Sequence, residues 1–226
     1  MAKIRAVLFD VDGVLIDSMP QYTEIWQQVF SEAGVELPGE VLYRREGATS
    51  LETREFFKSF SMTNHLGDKK IDEIEARKRI LVEEKKEWPD LQGAFETLKA
   101  VKETGTKVVV VTGSMKENLR ENLSMRYPGM IEDTLILTGY DYENSKPHPE
   151  PYLRGMELAV CNPDEVIVVE NAPFGVESAK AAGCKCFVVN TGILDNKELF
   201  EAGADKIFSD HRSLARALVE EIEKSA

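Results

Sequence analysis

The chain has 226 residues, 42% of them hydrophobic, and a formal net charge of −12. That length and apolar content suit one or two domains with a sizeable core. The acidic balance repels a phosphate backbone and argues against nucleic acid as a partner, and no run approaches the roughly 20 apolar residues of a membrane span. After Met1-Ala-Lys-Ile-Arg5 only four apolar residues precede Asp10, too few for a signal-peptide core, so a cytoplasmic protein is expected. Cys161, Cys184 and Cys186 make no disulfide framework and fit a reducing compartment. Cys186 leads into Phe187-Val188-Val189, which favours strand packing over a metal site.

The first apolar run is Ala6–Phe9. Residues 18–89 then break any strand rhythm and read as helices over Gln21–Ala33, near Ser50–Phe60, and over Lys70–Glu87. The last of these places Ile71, Ile74, Ile80 and Leu81 on one side. Trp26 and Trp88 are expected to pack within or beside this segment. Beyond Pro89 and Gly93, a helix pattern runs through Phe95, Leu98 and Val101, followed by the run Val108–Val111. A helix is expected over Lys116–Met125, with Ser114-x-x-Glu117 as its capping box. Then come the run Leu135–Leu137, a helix Pro151–Val160, the run Val166–Val169 and a helix Gly175–Ala182 closed by Gly183. The run Phe187–Val189 and a weaker one, Lys206–Phe208, complete the pattern. Continuous apolar strands alternating with helices predict an α/β fold with a mostly parallel sheet.

Such sheets bind ligands beyond the carboxyl ends of their strands, so the residues after each strand matter most. They are Asp10-Val-Asp12-Gly13, then Thr112-Gly113-Ser114, then Lys146-Pro147, then Glu170-Asn171. Bunched carboxylates repel one another unless a cation lies between them or one holds a proton. Oxygen donors from Asp10 and Asn171, with a backbone carbonyl near Asp12, suit Mg²⁺. Asp10 is then the expected nucleophile, forming an aspartyl-phosphate. Asp12 protonates the leaving oxygen and later activates water. Lys146, Thr112 and the Gly113 and Ser114 amides hold the phosphoryl oxygens. Glu170 either joins the metal site or braces the loop by hydrogen bonds. His65, His148 and His211 are scattered and receive no catalytic role.

Taken together, Phe9-Asp10-Val-Asp12-Gly-Val-Leu15, Val111-Thr-Gly-Ser114, Lys146-Pro147 and Glu170-Asn171 with Gly175-Val176 and Ala182-Gly183 resemble the four motifs of the haloacid dehalogenase superfamily. The inserted helices resemble the cap of its β-phosphoglucomutase-like subgroup. The resemblance implies a Rossmann-like core formed by residues 1–17 and 90–226 and a helical cap formed by residues 18–89.

The departures carry information. Asn171 stands where family members usually have Asp, which removes a negative charge and resembles the subgroup's phosphatase and pyrophosphatase branch. Tyr22 stands where the mutases carry a cap histidine, and Gly47-Ala-Thr-Ser50 stands where they carry a phosphate-gripping arginine. Glu46 falls where the cap loop meets the active site, as a contact to metal or substrate that would crowd bulky substrates. Arg44 and Arg45 either remain solvated or attract phosphate to the cap side. The leading expectation is a Mg²⁺-dependent phosphohydrolase acting on pyrophosphate or a small sugar phosphate. The alternatives are a sugar phosphomutase and a non-catalytic phosphate-binding regulator.

Overall fold

The structure, a computed structural model, describes residues 2–48, 50–85, 88–116 and 118–226, without the side chains of Ser50 and Leu51. Six parallel strands form one sheet in the order β3-β2-β1-β4-β5-β6. They are β1 (Ala6–Phe9), β2 (Lys107–Val111), β3 (Ile136–Leu137), β4 (Val166–Glu170), β5 (Lys185–Val189) and β6 (Lys206–Phe208). Val7 lies between Val108 on β2 and Ile167 on β4, which puts β1 at the centre. Alternate residues of each strand feed two cores. Phe9, Val110, Ile167 and Val189 pack on one face; Leu8, Val109, Val168 and Val188 pack on the other. Burial on both faces explains why these strands read as unbroken apolar runs.

Helices α5 (Ala94–Glu103), α6 (Leu119–Arg126) and α10 (His211–Ser225) cover the first face, and α7 (Glu150–Ala159) and α8 (Pro173–Ala181) the second. Short α9 (Asn196–Glu201) precedes β6. Neither α9 nor α10 was expected from the sequence. Asp210 caps α10 by accepting from the Ser213 amide, and Leu214, Leu218 and Ile222 form its buried stripe. The expected helix after β2 needs correction. The chain runs irregularly through Thr112–Lys116, Asn118 takes a left-handed conformation (φ 56°), and α6 begins only at Leu119. Ser114 therefore caps no helix, and Glu117 of the expected capping box lies outside the described residues.

Between β1 and α5 the chain forms α1 (Met19–Ser31), α2 (Gly39–Arg44), α3 (Ser50–Ser59) and α4 (Gly67–Glu84). The expectation of a helix through Glu87 reaches residues that are not described. These four helices enclose a core of their own, with Trp26, Phe30, Leu42, Phe57, Ile71 and Ile74 among its members. The two crossings from sheet to helices lie side by side. Ile16 bridges Asp90, the Asp17 amide donates to the Pro89 carbonyl (2.8 Å), and the Leu91 amide to the Leu15 carbonyl (3.0 Å). The buried Tyr127 hydroxyl sits at this joint, 2.7 Å from both the Leu15 carbonyl and an Asp90 carboxylate oxygen.

Candidate active site

Strand order reverses between β1 and β4, and Asp10 and Asn171 directly follow those two strands. The crevice between such strands is where open α/β sheets place ligands. The Asp10 amide donates to the Val169 carbonyl (3.0 Å), which extends the ladder by one residue and fixes the acid at the strand end. Gly13 turns the chain immediately afterwards with φ +74°, and a β-carbon there would collide with the Asn171 side chain. Both the turn and the close approach require glycine.

Lys146 is almost fully buried, and its ammonium is hydrogen-bonded to Asp10 Oδ1 and to Glu170 Oε1, the latter at 2.7 Å. Glu170 Oε1 also accepts from the buried Tyr152 hydroxyl, and its Oε2 accepts from the Asn171 amide (3.1 Å). Both oxygens are thus engaged with the protein. Gly175 makes this possible, because a β-carbon there would overlap the Glu170 carboxylate. Asp12 is less buried, and its Oδ1 accepts from Ser18 Oγ at 2.5 Å. Thr112 is buried, with its Oγ1 accepting from the Ser114 amide (3.1 Å) and its carbonyl from the Tyr142 hydroxyl (2.8 Å).

Glu46 reaches this group from the loop after α2. It is buried, and its Oε2 accepts from Asn171 Nδ2 at 2.7 Å. Glu46 Oε1 and Asn171 Oδ1 have no hydrogen-bond partner among the described residues, although both are buried acceptors. Burial, and then Asp10, Asp12 and Glu170, push Glu46 well above the usual carboxylate range, against the hydrogen bond from Asn171. Burial likewise pushes Asp10 up to about 8, opposed by Lys146 and reinforced by Glu170 and Asp12. Burial alone would lower the Lys146 ammonium, but Asp10 and Glu170 reverse this and hold it well above its usual range. One buried ammonium faces the buried acids Asp10, Glu46 and Glu170, and such bunching is relieved by a further cation or by protons held on the acids, the direction in which Asp10 and Glu46 are pushed.

Asp10, Asp12, Glu46, Tyr22, Thr112, Gly113 and Ser114 all line one cavity of about 1190 Å³ between the sheet edge and the helices. Lys146, Glu170 and Asn171 stand behind its wall, joined to it through Asp10 and Glu46. Among the described residues, the bases Arg45, Arg54, Lys78, Arg79, Lys85, Lys116 and Arg126 also line the cavity. Arg54, Lys78 and Arg126 are paired with Asp72, Glu75 and Asp90, and Asp10, Asp12, Glu46, Glu75 and Glu83 line the same cavity, so it presents both charges. Tyr22 packs against Trp88 with ring centroids 4.7 Å apart and planes tilted by 33°, and the Lys116 ammonium lies 4.5 Å from the Trp88 centroid. Of the arginine pair, Arg44 is bound by Glu198 (2.6 Å), whereas Arg45 lies over the Phe56 ring and faces the cavity.

Glu46 lines the cavity and is hydrogen-bonded to Asn171, and the cavity as a whole is large. A second hollow, of about 680 Å³, opens beside Arg5 and Lys107 at the opposite strand ends and holds none of these residues. Sequence reasoning missed Ser18, Tyr142, Tyr152 and Lys116, which only the fold brings to the site.

The fold and this strand-end site define an α/β enzyme of the parallel-sheet class. The chain belongs to the haloacid dehalogenase-like hydrolases, whose family model matches residues 7–189. It is 32% identical over 212 residues to a phosphorylated carbohydrates phosphatase of Thermotoga maritima, covering 89% of this chain and 92% of the relative. Among solved structures it is similar to a candidate β-phosphoglucomutase from Bacteroides vulgatus, with a TM-score of 0.85, 32% identity, and coverage of 97% and 90% of the two chains. It is also similar to a hydrolase of the same family from Deinococcus radiodurans with bound phosphate and sodium (TM-score 0.69, 26% identity, 97% of each chain).

Proposed function

We propose that the protein is a Mg²⁺-dependent phosphohydrolase that uses Asp10 as nucleophile on a small phosphorylated sugar or polyol. The observation that carries this reading is the buried Asp10–Lys146 pair at the switch point, opening into a cavity rich in basic residues. An oxygen of Asp10 attacks phosphorus, and the bond from phosphorus to the leaving oxygen breaks. Asp12, oriented by Ser18, gives its proton to that oxygen. Water then attacks the phosphorus of the aspartyl-phosphate and surrenders a proton to Asp12, so phosphate leaves and Asp10 is restored. Lys146, Thr112 and the Gly113 and Ser114 amides hold the phosphoryl oxygens. Residues 18–89 act as a cap that supplies Glu46, Tyr22 and the far wall of the cavity.

Asn171 Oδ1 and Glu46 Oε1 are buried acceptors without a donor among the described residues, close to the acids Asp10 and Asp12. Among the described residues no three His, Cys, Asp or Glu side chains form a ready-made cage. A Mg²⁺ site built from Asp10, the backbone near Asp12, Asn171 and waters needs none, so the residues fit. When bound, Mg²⁺ supplies charge neutralisation for the phosphoryl group.

The cavity volume and the named activity of the Thermotoga maritima relative support a phosphorylated sugar or polyol. Pyrophosphate is the second reading, supported by the basic groups around the cavity. The test is phosphate release from sugar phosphates, polyol phosphates and pyrophosphate, with Mg²⁺ and with chelator. Release is expected only with metal, and it is expected to vanish in Asp10→Asn. Isomerised sugar phosphate without free phosphate would instead establish a mutase. Binding without turnover would establish a regulator.

A further inference from the structure

The far wall of the cavity holds a carboxylate that the proposed chemistry does not use. Glu75 sits on α4 next to Ile74, on the side of the helix that otherwise forms the apolar core of the four-helix segment. It is 8% exposed and lines the cavity. Its Oε1 lies 3.4 Å from the Lys78 ammonium, and Lys78 in turn rests 4.9 Å from the centroid of the Trp26 ring. Its Oε2 is buried and has no hydrogen-bond partner among the described residues.

As a purely structural feature this arrangement makes poor sense. An ion pair at this helical spacing stabilises a helix by much less than an unpaired buried carboxylate oxygen costs. A buried acceptor without a donor, on a residue that lines a cavity, is suited to a donor brought by a ligand once the carboxylate turns toward it.

Resting on the phosphohydrolase reading above, we infer that Glu75 is a specificity-determining residue that accepts a hydrogen bond from a hydroxyl of the leaving group, selecting polyol or sugar phosphates over pyrophosphate. With phosphorus at Asp10, the rest of the substrate extends toward this wall. A hydroxyl donates to Glu75 Oε2, a neighbouring oxygen accepts from Lys78, and the Trp26 ring offers its face to the carbon chain. A second phosphate in the same place would gain Lys78 but meet the Glu75 carboxylate, and like charges in a water-poor site repel strongly.

The test compares wild type, Glu75→Gln and Glu75→Leu with Mg²⁺ on sorbitol phosphate, glycerol phosphate, pyrophosphate and acetyl phosphate. Acetyl phosphate carries no hydroxyl on its leaving group and serves as the internal reference. In Glu75→Leu the ratio of kcat/KM for the polyol phosphates to that for acetyl phosphate is expected to fall about ten-fold, mainly through KM. Glu75→Gln, which keeps an acceptor oxygen, is expected to retain most of that ratio. Both variants are expected to raise the ratio of pyrophosphate to acetyl phosphate. If the polyol ratio does not move, or if all four substrates fall together, the assignment of Glu75 is wrong. The underlying reading is tested separately with Asp10→Asn. If acetyl phosphate hydrolysis survives that change, the nucleophile is misassigned whatever Glu75 does. Thermal melting of both Glu75 variants confirms that the fold is intact.

Discussion

Replacing Phe57 by Ala tests whether residues 18–89 form a unit of their own. Phe57 is fully buried, and its ring centroid lies 4.6 Å from that of Phe30 and 5.2 Å from those of Trp26 and Phe56. Truncating a buried Phe to Ala costs about 3–5 kcal/mol through lost transfer energy and the cavity left behind. Three aromatic neighbours place this site toward the upper end. A unit of about 70 residues at ordinary stability per residue has roughly 4–10 kcal/mol in hand, so the change removes a large share of it. Phe57 belongs to a core distinct from the two cores that flank the sheet.

Hydrogen exchange read by mass spectrometry is the direct assay. Peptides from α1, α3 and α4 are expected to lose protection in Phe57→Ala, while peptides from β1, β2 and β4 keep theirs. Protection lost equally in both sets would refute separate cooperativity and, with it, the assignment of these helices as a domain.

Three further outcomes are expected. Asn171→Asp restores a negative charge at the proposed metal site and should tighten Mg²⁺ binding in a calorimetric titration; it also removes the donor to Glu46, 2.7 Å away, and binding no tighter than wild type would defeat the charge argument. Tyr127→Phe should lower unfolding free energy by about 1 kcal/mol in urea, because the Leu15 carbonyl it releases still accepts from the Leu91 amide. His211 is buried, with Nε2 donating to the Val14 carbonyl (2.7 Å) and Nδ1 accepting from Thr97 Oγ1 (3.0 Å), and burial holds its pKa below the ordinary value of 6.5 despite the Val14 contact. The unfolded chain therefore takes up this proton at higher pH than the native one, so the contribution of His211 is complete above about 6.5 and is lost as pH falls through its lowered native pKa. The difference in unfolding free energy between wild type and His211→Gln should shrink over that interval, and a constant difference would contradict the assignment.

Much of this architecture was legible because the sheet is buried on both sides. Unbroken runs such as Val166–Val169 have no other comfortable environment, and the acids and amide that follow them had to emerge at one edge. Local signals were less dependable where the site itself dictates the backbone. Ser114-x-x-Glu117 has the composition of a helix start, yet Thr112–Lys116 stay irregular along the cavity and the helix waits for the left-handed turn at Asn118. Helix α10 was overlooked although Asp210, Ser213 and the stripe Leu214, Leu218 and Ile222 spell it out. Tyr152 bracing Glu170 and Ser18 holding Asp12 depend on how distant segments pack, which spacing along the chain does not encode.

The central position of β1 has a consequence for how the protein is made. β1 precedes the other five described strands along the chain, yet it is paired on both edges, to β2 and to β4, which both follow the helical segment. Until β4 emerges, β1 has at least one bare edge, a row of unpaired amides and carbonyls beside an apolar sequence. Nascent chains stalled before Val166 are therefore the species most prone to aggregate and most in need of a chaperone. The Asp10 amide finds its acceptor only at Val169. Every truncated product ending short of that residue should be not merely inactive but sticky.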